Sequence, residues 1–505
     1  MQLVSCFLIV FSLYLGLIEL PILATNEQLP RWSIETREGS RRIAASSTFR
    51  RTTAMRWKQA IRGMRTARKA ADDRLRQFER SFEINEGPIK RVDICQLAAN
   101  QPIEDFYSLG RCVSSRALLL AVCDGHGGSA CSRYISAHLM AYVCAAVLDK
   151  HVQTEVPVDK RLEWIFSSSD AHLNQENNLS AIEARLHSFH AKFKNMDTKT
   201  VKSSLQAAFL ALDEDIAQAA LPDAKGRVHR ARAAIAASGS CASLAHIRSR
   251  SLHVANAGDC AAVLGVESAS GIVSSLQLSR PHCVENADEV ARIKAAHPSS
   301  ESHVLRGGRL LGELYPLRAF GDVRYKWPLE LQKAVLGPLG SPPPPNLLTP
   351  PYLTAMPEVF HHKLTKSDRF LIVASDGLWE WFDADTAVRL VRDHSLGALS
   401  LQPYEPSPDL TLGEVYEQLK ARSYAHLLVR RAGERKRPLD TNSATHLLRH
   451  ALGGVSGGLS EQYHRLHDQL QLPDGAARSY RDDISIMVVH FDDAYLSQPD
   501  DDSSD

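Results

Sequence analysis

Four acids stand at the ends of apolar runs in this chain, and their type and placement point to metal chemistry. Asp124-Gly125 follows the run Arg116–Cys123, and Asp259 follows Leu252–Asn256 across the turn Ala257-Gly258. Asp376-Gly377 follows Phe370–Ser375, and Asp482 comes just before Ile484–His490. A further pair, Glu104-Asp105, lies upstream of the first run. An isolated Asp-Gly reads as a turn. At the ends of several buried strands, however, carboxylates distant in sequence can meet on one rim of a sheet. Gathered carboxylates repel one another unless a cation neutralises them. Hard divalent ions such as Mg2+ or Mn2+ take oxygen ligands, with water completing the shell. Two such ions about 3.5–4 Å apart suit phosphoester hydrolysis, because they activate a water and stabilise charge on the phosphoryl oxygens.

Competing chemistries lack their residues. No cysteine has an arginine six residues on, no Gly-x4-Gly-Lys-Ser/Thr loop is present, and there is no His-Glu-x-x-His. A water nucleophile working on metals is the chemistry left.

To bring the acids together the chain must build a sheet. The runs Arg116–Cys123, Leu252–Asn256, Phe370–Ser375 and Ile484–His490 are short, apolar and bounded by turn residues, which predicts buried strands. Ile135, Leu139, Tyr142, Val143 and Ala146 recur at helical spacing, so a helix should follow the first strand. Residues 91–492 read as one α/β domain. Two more polar stretches, 150–230 and 395–475, read as peripheral insertions. The first has Ile182, Leu186 and Phe189 at helical spacing, and the second carries the basic run Arg430–Arg437. The prolines at 342–345, 350 and 351 mark an extended connector, and 493–505 reads as an acidic, disordered tail.

Composition narrows the class. With 44% apolar and 23% charged residues among 505, the chain is globular rather than disordered or polytopic. A net charge of +1 gives no reason to expect a nucleic-acid partner. Nine scattered cysteines, an odd number without a Cys-x-x-Cys pair, predict reduced thiols rather than a zinc site or a disulfide scaffold. Residues 1–90 read as a targeting and linker region with two conflicting signals. Leu3–Ala24 is mostly apolar, interrupted by Glu19, and close to the ~20 residues of a spanning helix, yet no basic segment precedes it. Residues 41–70 then carry ten Lys/Arg and no Asp/Glu, the composition of a mitochondrial transit peptide. A membrane anchor or secretory signal and a presequence behind an upstream extension both remain open.

Six motifs in order resemble the metal-dependent Ser/Thr protein phosphatases (PPM, type 2C). They are Asp124-Gly-His-Gly-Gly128, Ser238-Gly-Ser-Cys-Ala242, Ala255-Asn-Ala-Gly-Asp259, Arg318-Ala-Phe-Gly-Asp322, Asp376-Gly-Leu-Trp379 and Arg481-Asp-Asp-Ile-Ser485. Further stretches, among them Pro102–Asp105, Arg309–Gly312, Pro350–Thr354 and Asn442–Ala451, are similar to the catalytic subunits of the pyruvate dehydrogenase phosphatases within that family.

The resemblance implies a four-layer α/β sandwich, two antiparallel β-sheets flanked by helices, with a dinuclear metal cleft at one edge. It implies two Mg2+ or Mn2+ ions bridged by Asp124, with the Gly125 carbonyl and, through water, Glu104 on one ion and Asp376 and Asp482 on the other. Asp105 and Asp322 would lie in the outer shell. His126 would be the general acid that protonates the leaving oxygen. Asp259 and Glu380 match the acids of a weaker third metal site, where the family more often has Asp in the second place. Many members carry an Arg four residues before Glu104 to clamp the substrate phosphate. This chain has Asn100 there, which can hydrogen-bond a phosphate but cannot neutralise it. The implied reaction is attack of a metal-bridging water on phosphoserine. The implied substrate is the pyruvate dehydrogenase complex of the mitochondrial matrix, and there is room for a regulatory subunit. The alternatives are a secretory or membrane-anchored phosphatase with another substrate and a catalytically inactive scaffold; the presence of Asp124, Asp376 and Asp482 weighs against the second.

Overall fold

The computed structural model describes residues 66–147, 156–169, 179–194, 200–396, 410–411, 413–418, 439–455, 459–473 and 475–499. In chain order the strands are β1 (Arg80–Glu86), β2 (Ile89–Leu97), β3 (Phe106–Cys112), β4 (Leu118–His126), β5 (Leu162–Ser167), β6 (Gly239–Arg248), β7 (Ser251–Ala257), β8 (Ala261–Glu267), β9 (Val273–Gln277), β10 (Leu305–Arg306), β11 (Arg309–Leu310), β12 (Phe320–Gly321), β13 (Glu358–Lys363), β14 (Asp368–Ala374) and β15 (Ile484–Phe491). One sheet runs β1-β2-β15-β14-β8-β9. The other runs β13-β7-β6-β4-β3-β5, with β12 also paired to β6, and β10-β11 form a separate hairpin. The pairings are antiparallel.

Period-two alternation builds the layers. On β4, Leu118, Leu120 and Val122 join Val92, Ile94, Leu371, Val373, Met487 and Val489 of the other sheet in one buried cluster. The alternate residues Leu119, Ala121 and Cys123 pack instead on helix α1 (Ala130–Ala146) through Ile135, Leu139 and Val143. Because both faces of β4 are covered, its sequence reads as a continuous apolar run rather than an alternation.

Several boundaries differ from those the sequence suggests. The linker expected to reach residue 90 ends earlier, since β1 pairs with β2 and Leu75 is buried. In the stretch expected to be a peripheral insertion, α2 (Leu179–Lys194) is followed by α3 (Val201–Ala219), and α3 is a core helix. Its Leu205, Phe209, Leu212 and Ile216, at i, i+4, i+7 and i+11, lie in the same cluster as α1. The helix α4 (Ala384–Ser395) is followed, after residues outside the described set, by α5 (Ser443–Gly453). α5 is also part of the fold rather than an insertion: Asn442 donates to the Arg80 carbonyl, and the Ser443 amide donates to the buried Asp93 carboxylate. Past β15, Asp492 caps the helical turn Asp493–Leu496, whose Leu496 is buried, so the fold runs beyond 492. The run Leu3–Ala24, most of the basic stretch 41–70 and the run Arg430–Arg437 lie outside the described residues. Among the described residues no helix is long and apolar enough to cross a membrane.

The chain divides into two compact units. The larger, Leu75–Ser400 with Lys436–Ala451 and Leu472–Asp505, contains both sheets. The smaller takes in the chain up to Arg74, 401–435 and Leu452–Gln471. Inside it Tyr463, on helix α6 (Leu459–Leu470), donates to Asp72 at 2.7 Å, and the Arg68 guanidinium lies over the Tyr463 ring.

Candidate metal centre and acid site

The alternation that sends Leu118, Leu120 and Val122 between the sheets continues to Asp124 and His126, at the end of β4. The Gly125 between them has no room for a side chain: a Cβ there would lie 2.3 Å from the Glu104 carbonyl oxygen and 2.4 Å from Ser132 Oγ. Asp376 opens a single helical turn after β14, and its amide donates to Asp124 Oδ2 at 3.3 Å, which ties the end of one sheet to the end of the other. Asp259 follows Gly258, whose φ of +110° suits glycine and makes the turn after β7.

Oxygens of Asp124, Asp259 and Asp376 lie within 4.8 Å of one another. Burial first, and then the mutual repulsion of Asp376, Asp105, Asp259 and Asp482, holds the Asp124 carboxyl well above the ordinary carboxylate range. Asp376 is raised well above it too, by burial and by Asp259, Asp482, Asp105 and Glu380. Asp105 is pushed up to about 8 by burial and the nearby Asp483. Burial and Asp482 raise Glu380, and burial also raises Asp482 and Glu104. Asp376 Oδ1 and Asp105 Oδ2 are buried with no hydrogen-bond partner among the described residues. Unsatisfied buried carboxylate oxygens are costly, and a hard divalent cation is the partner their chemistry calls for. The residues present therefore fit a hard divalent cation.

The grouping differs in one respect from that implied by the resemblance. Asp259, expected at a weaker third site, joins Asp124 and Asp376, whereas Asp482 Oδ2 sits 2.6 Å from Arg478 Nη1. Glu104 is held by its side chain, with Oε1 accepting from the Gly128 amide at 2.7 Å, while its carbonyl accepts from Ser132 Oγ. Asn100 is already engaged: its amide group donates to Asp483 Oδ2 at 3.1 Å and its backbone N–H to Asp483 Oδ1 at 2.8 Å. Asp483 also accepts from the Ala99 and Glu104 amides. It thereby fixes the loop that carries Glu104, a role that sequence spacing does not reveal.

The histidine has a partner that sequence reasoning placed elsewhere. His126 Nε2 lies 2.5 Å from Asp322 Oδ2. Burial alone would lower the His126 pKa, but Asp322, Asp259 and Glu104 outweigh it and the net shift is upward. Asp322 occupies a left-handed conformation, φ +48°, after Gly321 at φ +64°. The turn is pinned by the Gly321 amide on Asp213 Oδ1 at 2.9 Å, and Lys326 Nζ bonds both Asp213 oxygens and the Ala319 carbonyl. Gly239, paired with His126 across β4 and β6, is the space that admits the dyad: a Cβ there would lie 2.0 Å from His126 Nε2 and 2.2 Å from Asp322 Oδ2. The glycine of Ser238-Gly-Ser was the available signal for this contact.

Such an arrangement can hold a divalent cation among the acids and sets beside them a histidine whose partner Asp322 favours its protonated form. The pattern of the family described as Protein phosphatase 2C matches residues 147–402. The chain is 38% identical over 449 residues to the mitochondrial pyruvate dehydrogenase (acetyl-transferring) phosphatase 1 of Bos taurus, covering 83% of this chain and 81% of that protein. It is 36% identical to the human mitochondrial phosphatase 2 of the same description, covering 80% and 78%. A solved serine-threonine phosphatase 2C from Toxoplasma gondii is similar over 82% of this chain and 99% of that chain, at 15% identity and a TM-score of 0.38.

Proposed function

Since the chain belongs to the protein phosphatase 2C family, whose members are metal-dependent protein phosphatases, we propose that it dephosphorylates phosphoserine on the pyruvate dehydrogenase complex, in the mitochondrial matrix. The observation that carries the chemistry is the meeting of Asp124, Asp259 and Asp376 with orphaned oxygens on Asp376 and Asp105. Substrate and compartment are supported by the names of relatives that share most of their length with this chain.

In this reading Asp124, the Gly125 carbonyl, Asp376, Asp482 and Glu104 would hold two Mg2+ or Mn2+ ions. Asp105 stands behind them, and Asp259 and Glu380 are available to a third. Bound ions supply an activated water and charge stabilisation for the phosphoryl oxygens. The protein positions the acids on rigid strand ends, so little reorganisation is needed as charge develops. His126 holds the proton for the leaving serine oxygen. Its Nε2 is engaged by Asp322, which leaves Nδ1 to donate, and the Asp322 carboxylate favours the protonated ring.

The test is release of phosphate from the phosphorylated complex and from a phosphoserine peptide. EDTA should abolish release, and Mg2+ or Mn2+ should restore it. Undiminished turnover in EDTA would remove the metal mechanism. Turnover of the peptide without turnover of the complex would remove the substrate assignment and leave the family activity standing.

A further inference from the structure

Among the described residues, the charged neighbours that act on Asp124 and Asp376 are acids. A phosphoester dianion entering there meets Asp124, Asp259, Asp376, Asp482, Glu104 and Glu380. The asparagine that replaces the usual arginine is tied to Asp483. Arg481 is buried, and its guanidinium donates to the Ala98 and Asp482 carbonyls. Arg478 differs from both. It lies on the short turn Ala477–Ser479, its side chain is 53% exposed, and Nη1 is 2.6 Å from Asp482 Oδ2. Its charge is felt at Glu104, Glu380 and Asp482, so the guanidinium stands among three acids of the site.

Resting on the phosphatase reading above, we propose that Arg478 binds the substrate phosphate, supplying from the C-terminal side of the site the cation that Asn100 cannot supply. Three observations carry this. The turn is closed: the Tyr480 and Arg481 amides both donate to the Ala477 carbonyl, and the turn that bears Arg478 leads directly into Asp482. The group is accessible to solvent, unlike Arg481. And Asp482, its partner, is a carboxylate whose oxygen a divalent ion would also claim. A guanidinium has five donors in a planar fork, so it can keep one contact to Asp482 and offer the rest to phosphate oxygens. Asp482 then joins the cation that binds phosphate to the acids that hold the ions.

The experiment compares the full-length wild type with Arg478→Ala and Arg478→Lys, each loaded with Mn2+. Orthophosphate, the product, is the probe, and its affinity is measured by titration calorimetry and as the inhibition constant against a phosphoserine peptide. Arg478→Ala should weaken orthophosphate binding about 10-fold, the low end for loss of a charge-assisted contact by a half-exposed group. kcat/KM should fall alongside it. Arg478→Lys, which keeps the charge but not the fork, should fall between the two. Mn2+ affinity, titrated separately, should be unchanged or tighter in Arg478→Ala, since a cation that competes for Asp482 has gone. Wild-type phosphate affinity in both variants overturns the proposal, and so does weaker Mn2+ binding as the cause of lost turnover. If Arg478→Ala does not fold, the Lys variant decides alone, and phosphate affinity equal to wild type overturns the proposal. A wild-type protein that hydrolyses no phosphoester in Mn2+ fails the phosphatase reading itself, whereas a hydrolysing wild type with an indifferent Arg478 fails this inference only.

Discussion

Replacing Asp322 by Asn keeps the size of the side chain that meets His126 and removes its charge. The contact is short, 2.5 Å between Nε2 and Oδ2, and Gly239 walls it in, so the imidazole has little freedom to find another partner. A hydrogen bond between charged partners is worth about 1.5–3 kcal/mol. Losing it removes that preference for the protonated ring, so the His126 pKa should fall. The direction follows from the present state of the ring: Asp322 raises the pKa, so its loss lowers it. A general acid works only while protonated, hence the alkaline limb of the kcat profile should move to lower pH. At pH 8 hydrolysis of a phosphoserine peptide should drop by about 10- to 100-fold. An aryl phosphate, whose leaving group needs no proton, should lose far less. Both profiles are measured at saturating Mn2+. An unmoved alkaline limb, or equal losses on the two substrates, would refute the idea that Asp322 sustains an acid at His126.

Asp376→Asn should lower kcat by about 10²-fold or more while leaving the circular dichroism spectrum intact, because it removes a charge aimed at the cations and little volume. In EDTA, thermal stability should fall as pH rises from about 4 towards 8: Asp124, Asp376 and Asp105 keep protons in the folded state that the unfolded chain releases, and the shift at Asp105 reaches about 8. Added Mn2+ should reverse the trend, and a Tm that rises over this range without metal would contradict the crowding of these acids. A chain lacking residues 1–65 should stay soluble and active, whereas removal through residue 86, which takes away Leu75 and β1, should not; sedimentation and activity decide. Arg449→Met should cost about 3–5 kcal/mol in urea denaturation, since it strips the bidentate partner at 2.7 and 2.8 Å from the buried Asp440 carboxylate.

How much of this was legible in the sequence depended on how local each cause was. The strands that end in Asp124, Asp259 and Asp376 announce themselves by apolar runs closed with turn residues, and their antiparallel pairing follows the family pattern. The Asp322–His126 contact could not be read in this way, because it joins residues 196 apart through a left-handed turn held by Asp213 and Lys326. α3 looked peripheral because its flanks are polar, although Leu205, Phe209, Leu212 and Ile216 carry the helical period that buries it. Asn442–Ala451 looked like part of an insertion because its polar residues are satisfied by each other and by β1 and β2, which hydropathy cannot register. Asn100 was read by analogy with the arginine it replaces, and the competitor for its amide, Asp483, is distant in the chain.

The alternation of β4 makes that strand a ruler as well as a wall. Asp124 and His126 are two residues apart on one face, a separation of roughly 6.6 Å along an extended chain. In the proposed mechanism the group that would anchor the attacking side and the group that would serve the departing side are thus graduations on a single strand, clamped by nine consecutive pairings with β6. One residue inserted between them would turn the histidine to the helical side, and two would lengthen the gauge by about another strand repeat. The spacing of the two groups is therefore held in a three-residue segment that can be neither stretched nor shortened without losing it.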